Sequence, residues 1–334
     1  MIAPSAPDQQ PRQPAEPGPS SPGAPAGATI AVATRGLAKS YGTTPALQGL
    51  DLSVPAGVVY GFLGPNGAGK TTTIRCLLGL IRPDGGQMEL FGRPYSWRDR
   101  HQIARIGSLV ESPSFYPYLS ARDNLRVIAS TGAQPPRGRV DELLELVGLS
   151  GRAGDRVSDY SLGMRQRLGI AAALLSDPEV LVLDEPANGL DPAGIVAMRE
   201  TLRYLAGQGK TVFVSSHILP EVEQLADVVG IVDHGRVVRQ GALGDLLHQT
   251  GHVRVRVAAA DAPAARALLD RLAGSDSVWE ESGQEGSDDW ITVRVDPDRA
   301  GEVNRILAEA GIFATGLESG SDLEALFLSV TGVA

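Results

Sequence analysis

Residues 58–80 read VVYGFLGPNGAGKTTTIRCLLGL. An apolar run stops at Gly64, passes through three glycines and a proline within six residues, and resumes as a helical pattern behind a lysine and three threonines. A strand that breaks into a bare loop and turns straight into a helix constrains the fold more than any other stretch of this chain. The segment Gly64-Pro65-Asn66-Gly67-Ala68-Gly69-Lys70-Thr71, with Thr72 following, fits G-x-x-x-x-G-K-[ST]. Consecutive backbone N–H groups of such a loop point inward and wrap a phosphate, and glycine tolerates the dihedrals this needs. The helix that starts there adds its positive end. Lys70 supplies a point charge for β- and γ-phosphates, and the Thr71 hydroxyl can ligate Mg²⁺. A glycine-rich turn with a chance lysine would not need a strand before it and a helix after it.

Further along, three α/β repeats extend the pattern. SLGMRQRLGIAAALLS reads as a helix leading to the strand VLVLDEP. DPAGIVAMRETLRYLAGQG, with Asp191 as cap and Pro192 in the first turn, leads to TVFVSSH, and HILPEVEQLA leads to VVGIVD. Fully apolar strands alternating with helices predict a parallel sheet covered on both faces. The strand VLVLDEP ends in two acids. Asp184, at the tip of a strand beside the phosphate loop, stands where Mg²⁺ needs a second anchor. Side chains alternate along a strand, so Glu185 is expected to face the other way, placed to polarise an attacking water.

Around this core the chain divides by composition. Residues 1–28 are rich in Pro, Ala, Gly and Ser and cannot bury enough apolar surface to offset ordering entropy, so they are expected to be disordered. Short runs at 30–39, 46–54 and 58–63 predict strands, and a helix is expected from 69 to 80. From 97 to 148 the pattern is helical, with Ser120 as an N-cap and apolar spacing in VDELLELVGL. Beyond 251, HVRVRVAAA and DDWITVRV read as strands, APAARALLDRLA and DRAGEVNRILAEAG as helices, and SGQEGSDD as a loop tip. The segment 251–334 is thus expected to be a small α+β unit.

The 334 residues are 43% hydrophobic, enough for a sizeable core. A net charge of -9 removes any bulk electrostatic footprint for nucleic acid and leaves only a local basic groove open to one. Cys76 is the single cysteine, so the chain builds no internal disulfide or cysteine metal site. The N-terminus has neither a basic start nor an apolar segment of signal-peptide type. No run of about 18 apolar residues occurs. These features lead us to expect a chain in the cytoplasm without a membrane span.

The stretch YSLGMRQRLGIAAALLSDPEVLVLDEPANGLDP resembles the signature segment and following strand of ATP-binding cassette (ABC) ATPases, usually LSGGQRQRVAIARAL before the acidic strand. Ser161 matches the signature serine and Gly163 its second glycine. Leu162 replaces the first glycine and Met164 the glutamine. The chain resembles the bacitracin- and daunorubicin-type drug-export and lantibiotic-immunity ATPases, and the bacitracin-type and lantibiotic-immunity ones share E-x-P-x-F-Y-P-x-L with it at Glu111. The likeness spans about residues 30–245, and the tail LESGSDLEALFLSVTG resembles the C-terminal extension of drug-export ATPases.

The resemblance implies a P-loop ABC cassette over 29–245, with a RecA-like core sheet, an antiparallel β subdomain and a helical subdomain at about 97–170. It implies ATP and Mg²⁺ as ligands and ATP hydrolysis as the reaction. Tyr41 would stack on adenine, His217 would contact the γ-phosphate, and Asp191 would lie at a dimer seam. Ser161, Leu162, Gly163 and Met164 would cap the nucleotide of a second cassette in a head-to-tail pair. Glu111 stands where the family usually has a glutamine that reaches Mg²⁺ or the attacking water. A cassette without spans implies a separate transmembrane permease at the cytoplasmic face of the membrane, with export of a drug or antibiotic as the family analogy. Two other readings stay open: a soluble ABC protein acting on ribosomes or DNA, and a nucleotide-binding regulatory module without turnover. Glu111→Gln is expected to keep substantial ATP binding and ATPase activity, and complete loss of both in a paired assay would show that the charge is required.

Overall fold

The structure is a computed structural model that describes residues 29–110, 113–132, 135–248, 251–274, 277–281, 289–320 and 323–331. The expected disordered segment 1–28 lies outside the described residues, as does the loop tip 282–289 apart from Asp289. The N-terminal portion opens with a long hairpin, β1 (Ile30–Tyr41) and β2 (Thr44–Pro55). β3 (Val59–Leu63) runs into the glycine loop and α1 (Lys70–Leu77), and β4 (Gly85–Leu90) and β5 (Arg93–Tyr95) follow. β2, β1, β4 and β5 form an antiparallel sheet in that order.

The middle of the chain holds α2 (Arg100–Ile103), β6 (Ile106–Leu109), α3 (Ala121–Thr131), α4 (Arg139–Leu146), α5 (Leu162–Ala173) and β7 (Val180–Asp184). Then come α6 (Pro192–Gly207), β8 (Thr211–Ser216), α7 (Leu219–Glu223), β9 (Val228–Asp233), β10 (Arg236–Ala242) and α8 (Leu243–His248). The central sheet has the order β10-β9-β3-β8-β7-β6, parallel except for β10. β3, β7 and β8 are buried along their whole length because both sheet faces are covered. The period of two sorts their side chains. Leu181, Leu183, Val212 and Val214 join the core under α3–α6, while Val180, Val182, Phe213 and Phe62 pack towards α1 and the antiparallel sheet.

Within 97–148 the sequence pattern reads as helical throughout, yet residues 106–109 form the edge strand β6. Four residues, IGSL, are too few to show a period, and the segment is held by its pairing with β7. α3 and α4 form as expected, and Ser120 caps α3 by accepting the Asp123 N–H. α4 is tied to the central sheet by Asp177, which accepts from Arg139 Nη2 at 3.1 Å and from Lys210 Nζ at 2.8 Å. The hydrogen bond from Lys210 holds the Asp177 carboxyl below its ordinary range.

The last portion is β11 (His252–Val257), α9 (Ala262–Ala273), β12 (Val278–Glu281), β13 (Asp289–Val293), α10 (Ala300–Glu309), β14 (Gly316–Gly320) and α11 (Leu323–Thr331). Its antiparallel sheet has the order β12-β13-β11-β14. Val253, Val255, Val257, Ile291 and Val293 face Leu269 of α9 and Val303 and Leu307 of α10. α11 leaves this core. Its Leu323 and Leu326 join Val222 of α7, Ala226 and Leu243 and Leu246 of α8 in a separate cluster beside β3 and β9. The tail therefore packs on the element that follows His217. Leu323 is fully buried, so Leu323→Ala should cost about 2–5 kcal/mol. Leu80, 62% exposed, should tolerate the same change within about 0.5 kcal/mol. Melting curves of the two variants check both, and a Leu323→Ala protein as stable as wild type would remove α11 from this packing.

Candidate nucleotide-binding site

The loop after β3 is shaped by close approach. A Cβ on Gly64 would lie 2.4 Å from the Val232 carbonyl oxygen, so only glycine lets the chain pass the end of β9. Gly69 has φ 106, a left-handed conformation, and a Cβ there would stand 2.8 Å from the Ala46 carbonyl oxygen. Helix α1 begins at the next residue with no side-chain cap on its first N–H groups. Lys70 is only 6% exposed. Its ammonium donates to the carbonyls of Gly64 at 2.6 Å and Pro65 at 3.3 Å and stands 3.5 Å from Glu185 Oε1.

The two acids follow from the end of β7. Asp184 is the last strand residue and is buried. Glu185 has φ 50, so it leaves the strand in a left-handed turn. Its direction is therefore set by that turn, and the strand alternation expected from sequence is not the cause. Ser215 of β8 lies opposite Asp184 in the ladder. Its hydroxyl donates to Asp184 Oδ1 and accepts the Glu185 N–H at 3.0 Å. His217, just past β8, places Nδ1 2.8 Å from Glu185 Oε2. An ionised carboxylate can only accept, so this contact puts the proton on Nδ1. One turn later, on α7, burial pushes the Glu221 carboxyl above its ordinary range, with Glu185 adding to the effect and His217 and Arg199 opposing it.

These groups meet in a cleft of about 390 Å³. Pro65, Asn66, Gly67, Gly69, Lys70, Thr71 and Thr72 form one wall, and Glu185 and His217 the other. Gly64 and Ala68 lie behind the wall, buried, with the Ala68 carbonyl accepting the Gly235 N–H. Asp184 lies beneath it, on Ser215. Tyr41 sits at the tip of the β1–β2 hairpin, 48% exposed and outside the lining. Glu111 lies outside the described residues.

The signature-like residues gather elsewhere. Ser161 caps α5 by accepting the Met164 N–H at 3.2 Å, and Leu162 is exposed. Gly163 abuts Leu190, and Gly189 abuts Leu162 so closely that a Cβ would come within 2.3 Å of it. Asp191 caps α6 through the Gly194 N–H. Ser161, Leu162, Gly163, Met164 and Asp191 thus share one region of the same chain, outside the cleft lining. Sequence reasoning missed Ala46 and Asn188, which also line the cleft, and Ser215. Asn188 was findable from its place three residues after Glu185. Ala46 and Ser215 depend on which strand residues pair, and no local pattern shows that.

Comparison with known proteins agrees with this geometry. A family model described as ABC transporter matches residues 47–188. The bacitracin transport ATP-binding protein BcrA of Bacillus licheniformis is 50% identical over 210 residues, 63% of this chain and 69% of its own length. The daunorubicin resistance ATP-binding protein DrrA3 of Streptomyces coeruleorubidus is 40% identical over 313 residues, 91% of this chain and 97% of its own length. A solved structure described as the ATP binding subunit of an ABC transporter superposes with a TM-score of 0.59 at 29% identity, covering 66% of this chain and 92% of that one. With the glycine loop, the paired acids and the histidine drawn to one edge of a parallel sheet, and with one relative matched over 97% of its length at 40% identity, this chain belongs to the ATP-binding cassette family, the ATPase subunits of ABC transporters.

Proposed function

We propose that the chain binds MgATP in the cleft at Lys70 and hydrolyses it to drive a separate membrane permease that exports a drug or antibiotic. The observation that carries the reading is the contact of Glu185 with both Lys70 and His217 at the rim of the glycine loop. The residues present fit the nucleotide. The left-handed loop and the start of α1 offer backbone N–H groups to a polyphosphate, and Lys70 is buried where the phosphates would lie. Thr71 and Asp184 supply hard oxygen donors suited to Mg²⁺, which would neutralise charge on the β- and γ-phosphates.

A phosphate in the loop competes with Glu185 for the Lys70 ammonium and so frees the carboxylate for a water. Glu185 then accepts a proton from that water as its oxygen bonds to the γ-phosphorus and the bond to the β-bridging oxygen breaks. His217 holds Glu185 Oε2 in place and, with a proton on its other nitrogen, can donate to a γ-phosphate oxygen. The reaction is mostly positioning and charge stabilisation. Tyr41 is assigned to the adenine and Glu111 to the metal or water by resemblance.

Ser161, Leu162, Gly163, Met164 and Asp191 are assigned to the nucleotide of a second copy in a head-to-tail dimer. The exposure of Ser161, Leu162 and Asp191 at the starts of two helices supports that role. No helix among the described residues is long and apolar enough to cross a membrane, so force on cargo requires a membrane partner. The place of work is the cytoplasmic face of the membrane. Drug or antibiotic export follows the bacitracin and daunorubicin relatives.

Two results test this. Glu185→Gln should retain ATP binding while turnover falls on the order of 10³-fold, and near wild-type turnover would remove Glu185 from the mechanism. Purification of the tagged chain from detergent-solubilised native membranes should bring down a polytopic membrane protein in stoichiometric amount. Recovery with ribosomes or nucleic acid alone would favour the soluble reading instead.

A further inference from the structure

We propose that Ser215 is a positioning residue for ATP hydrolysis, one hydroxyl that sets both the metal-side acid and the water-side acid. The inference rests on the assignment of Asp184 and Glu185 given above. Ser215 is completely buried, and the parallel register of β7 and β8 puts it directly opposite Asp184. A hydroxyl has one proton to give and lone pairs to receive with, and Ser215 uses both. It donates to Asp184 Oδ1 at 2.5 Å and accepts from the Glu185 N–H at 3.0 Å. The same N–H also reaches the Ser215 carbonyl at 3.2 Å. The peptide joining the two acids is therefore pinned to a single residue of the neighbouring strand.

The pin matters because Glu185 holds φ 50. A residue with a Cβ visits the left-handed region rarely and stays there only when its surroundings hold it. Here the turn aims the carboxylate at Lys70 and His217. Donation to Oδ1 likewise fixes the rotation of the Asp184 carboxylate. The neighbouring Ser216 has a different task, accepting the Ile218 N–H in the turn beyond β8. Ser215 lies outside the cleft lining and acts through the two acids.

The test uses the full chain and its Ser215→Ala and Ser215→Thr variants. Alanine deletes both hydrogen bonds at little cost in volume, and threonine keeps the hydroxyl on a strand that suits β-branched residues. The measurements are kcat and KM for ATP, equilibrium ATP affinity in EDTA, the Mg²⁺ concentration that half-saturates its effect on that affinity, and the melting temperature. Ser215→Ala should lose kcat about 10- to 100-fold. It should need several-fold more Mg²⁺, with metal-free ATP affinity within about two-fold of wild type. Ser215→Thr should recover most of the kcat. An alanine variant with wild-type kcat and Mg²⁺ dependence overturns the proposal. So does equal impairment of both variants, or a parallel loss of metal-free ATP affinity and melting temperature, since either marks a general packing role. In each of these cases an active wild type leaves the ATPase reading standing. A wild-type chain that binds no ATP would instead remove that reading and this one with it.

Discussion

Parallel strands share one direction, so their carboxyl ends come out along the same edge of a sheet. In this chain that shared edge brings together residues far apart in sequence. Leu63 of β3 is level with Ser216 of β8, and Ser215 is level with Asp184 of β7. The residues that follow those strand ends are the glycine loop, Glu185 and His217. That edge brings the Lys70 ammonium to 3.5 Å from Glu185. The covering layers exist to keep these strands parallel and buried, because an apolar strand with both faces hidden holds its register firmly.

The cleft itself is a balance of charges in a partly dry place. Lys70 is buried with its ammonium shared between backbone carbonyls and a carboxylate. A buried charge is tolerated only when such partners are present. Glu185 in turn is shared between Lys70 and His217. In the proposed mechanism an arriving polyphosphate would offer Lys70 a stronger partner, and the exchange would free the acid assigned to the water. His217 lies two residues before α7, and α7 is the element on which α11 packs. Packing at the chain's end and chemistry at the cleft therefore meet on one short helix.

Much of this was legible in the sequence because the signals are local. The glycine loop announces itself through composition between a strand and a helix. The two acids stand at the end of four apolar residues. Asp191 ahead of Pro192 reads as a cap, and it is one. HVRVRV alternates, and Val253, Val255 and Val257 are buried as that alternation requires. What was not legible depends on partners across the chain. β6 has four residues, one a glycine whose Cβ would come 2.1 Å from the Ala173 carbonyl oxygen. Packing selects that strand, and propensity does not. β14 reads GLESG, a polar stretch with glycine at both ends, and becomes a strand through pairing with β11. The aim of Glu185 depends on a left-handed turn pinned by Ser215, and no periodicity reports a positive φ at a glutamate.

The central claim is that the bare loop and Lys70 form the phosphate site. The most direct measurement is equilibrium binding of ATP, with Mg²⁺ present, to the wild-type chain and to Lys70→Ala. The account predicts saturable binding by the wild type and an affinity at least about ten-fold lower in the variant, since the buried ammonium at the glycine loop is gone. Equal affinity in the two proteins would contradict it and place the nucleotide, if one binds, somewhere other than the loop after β3.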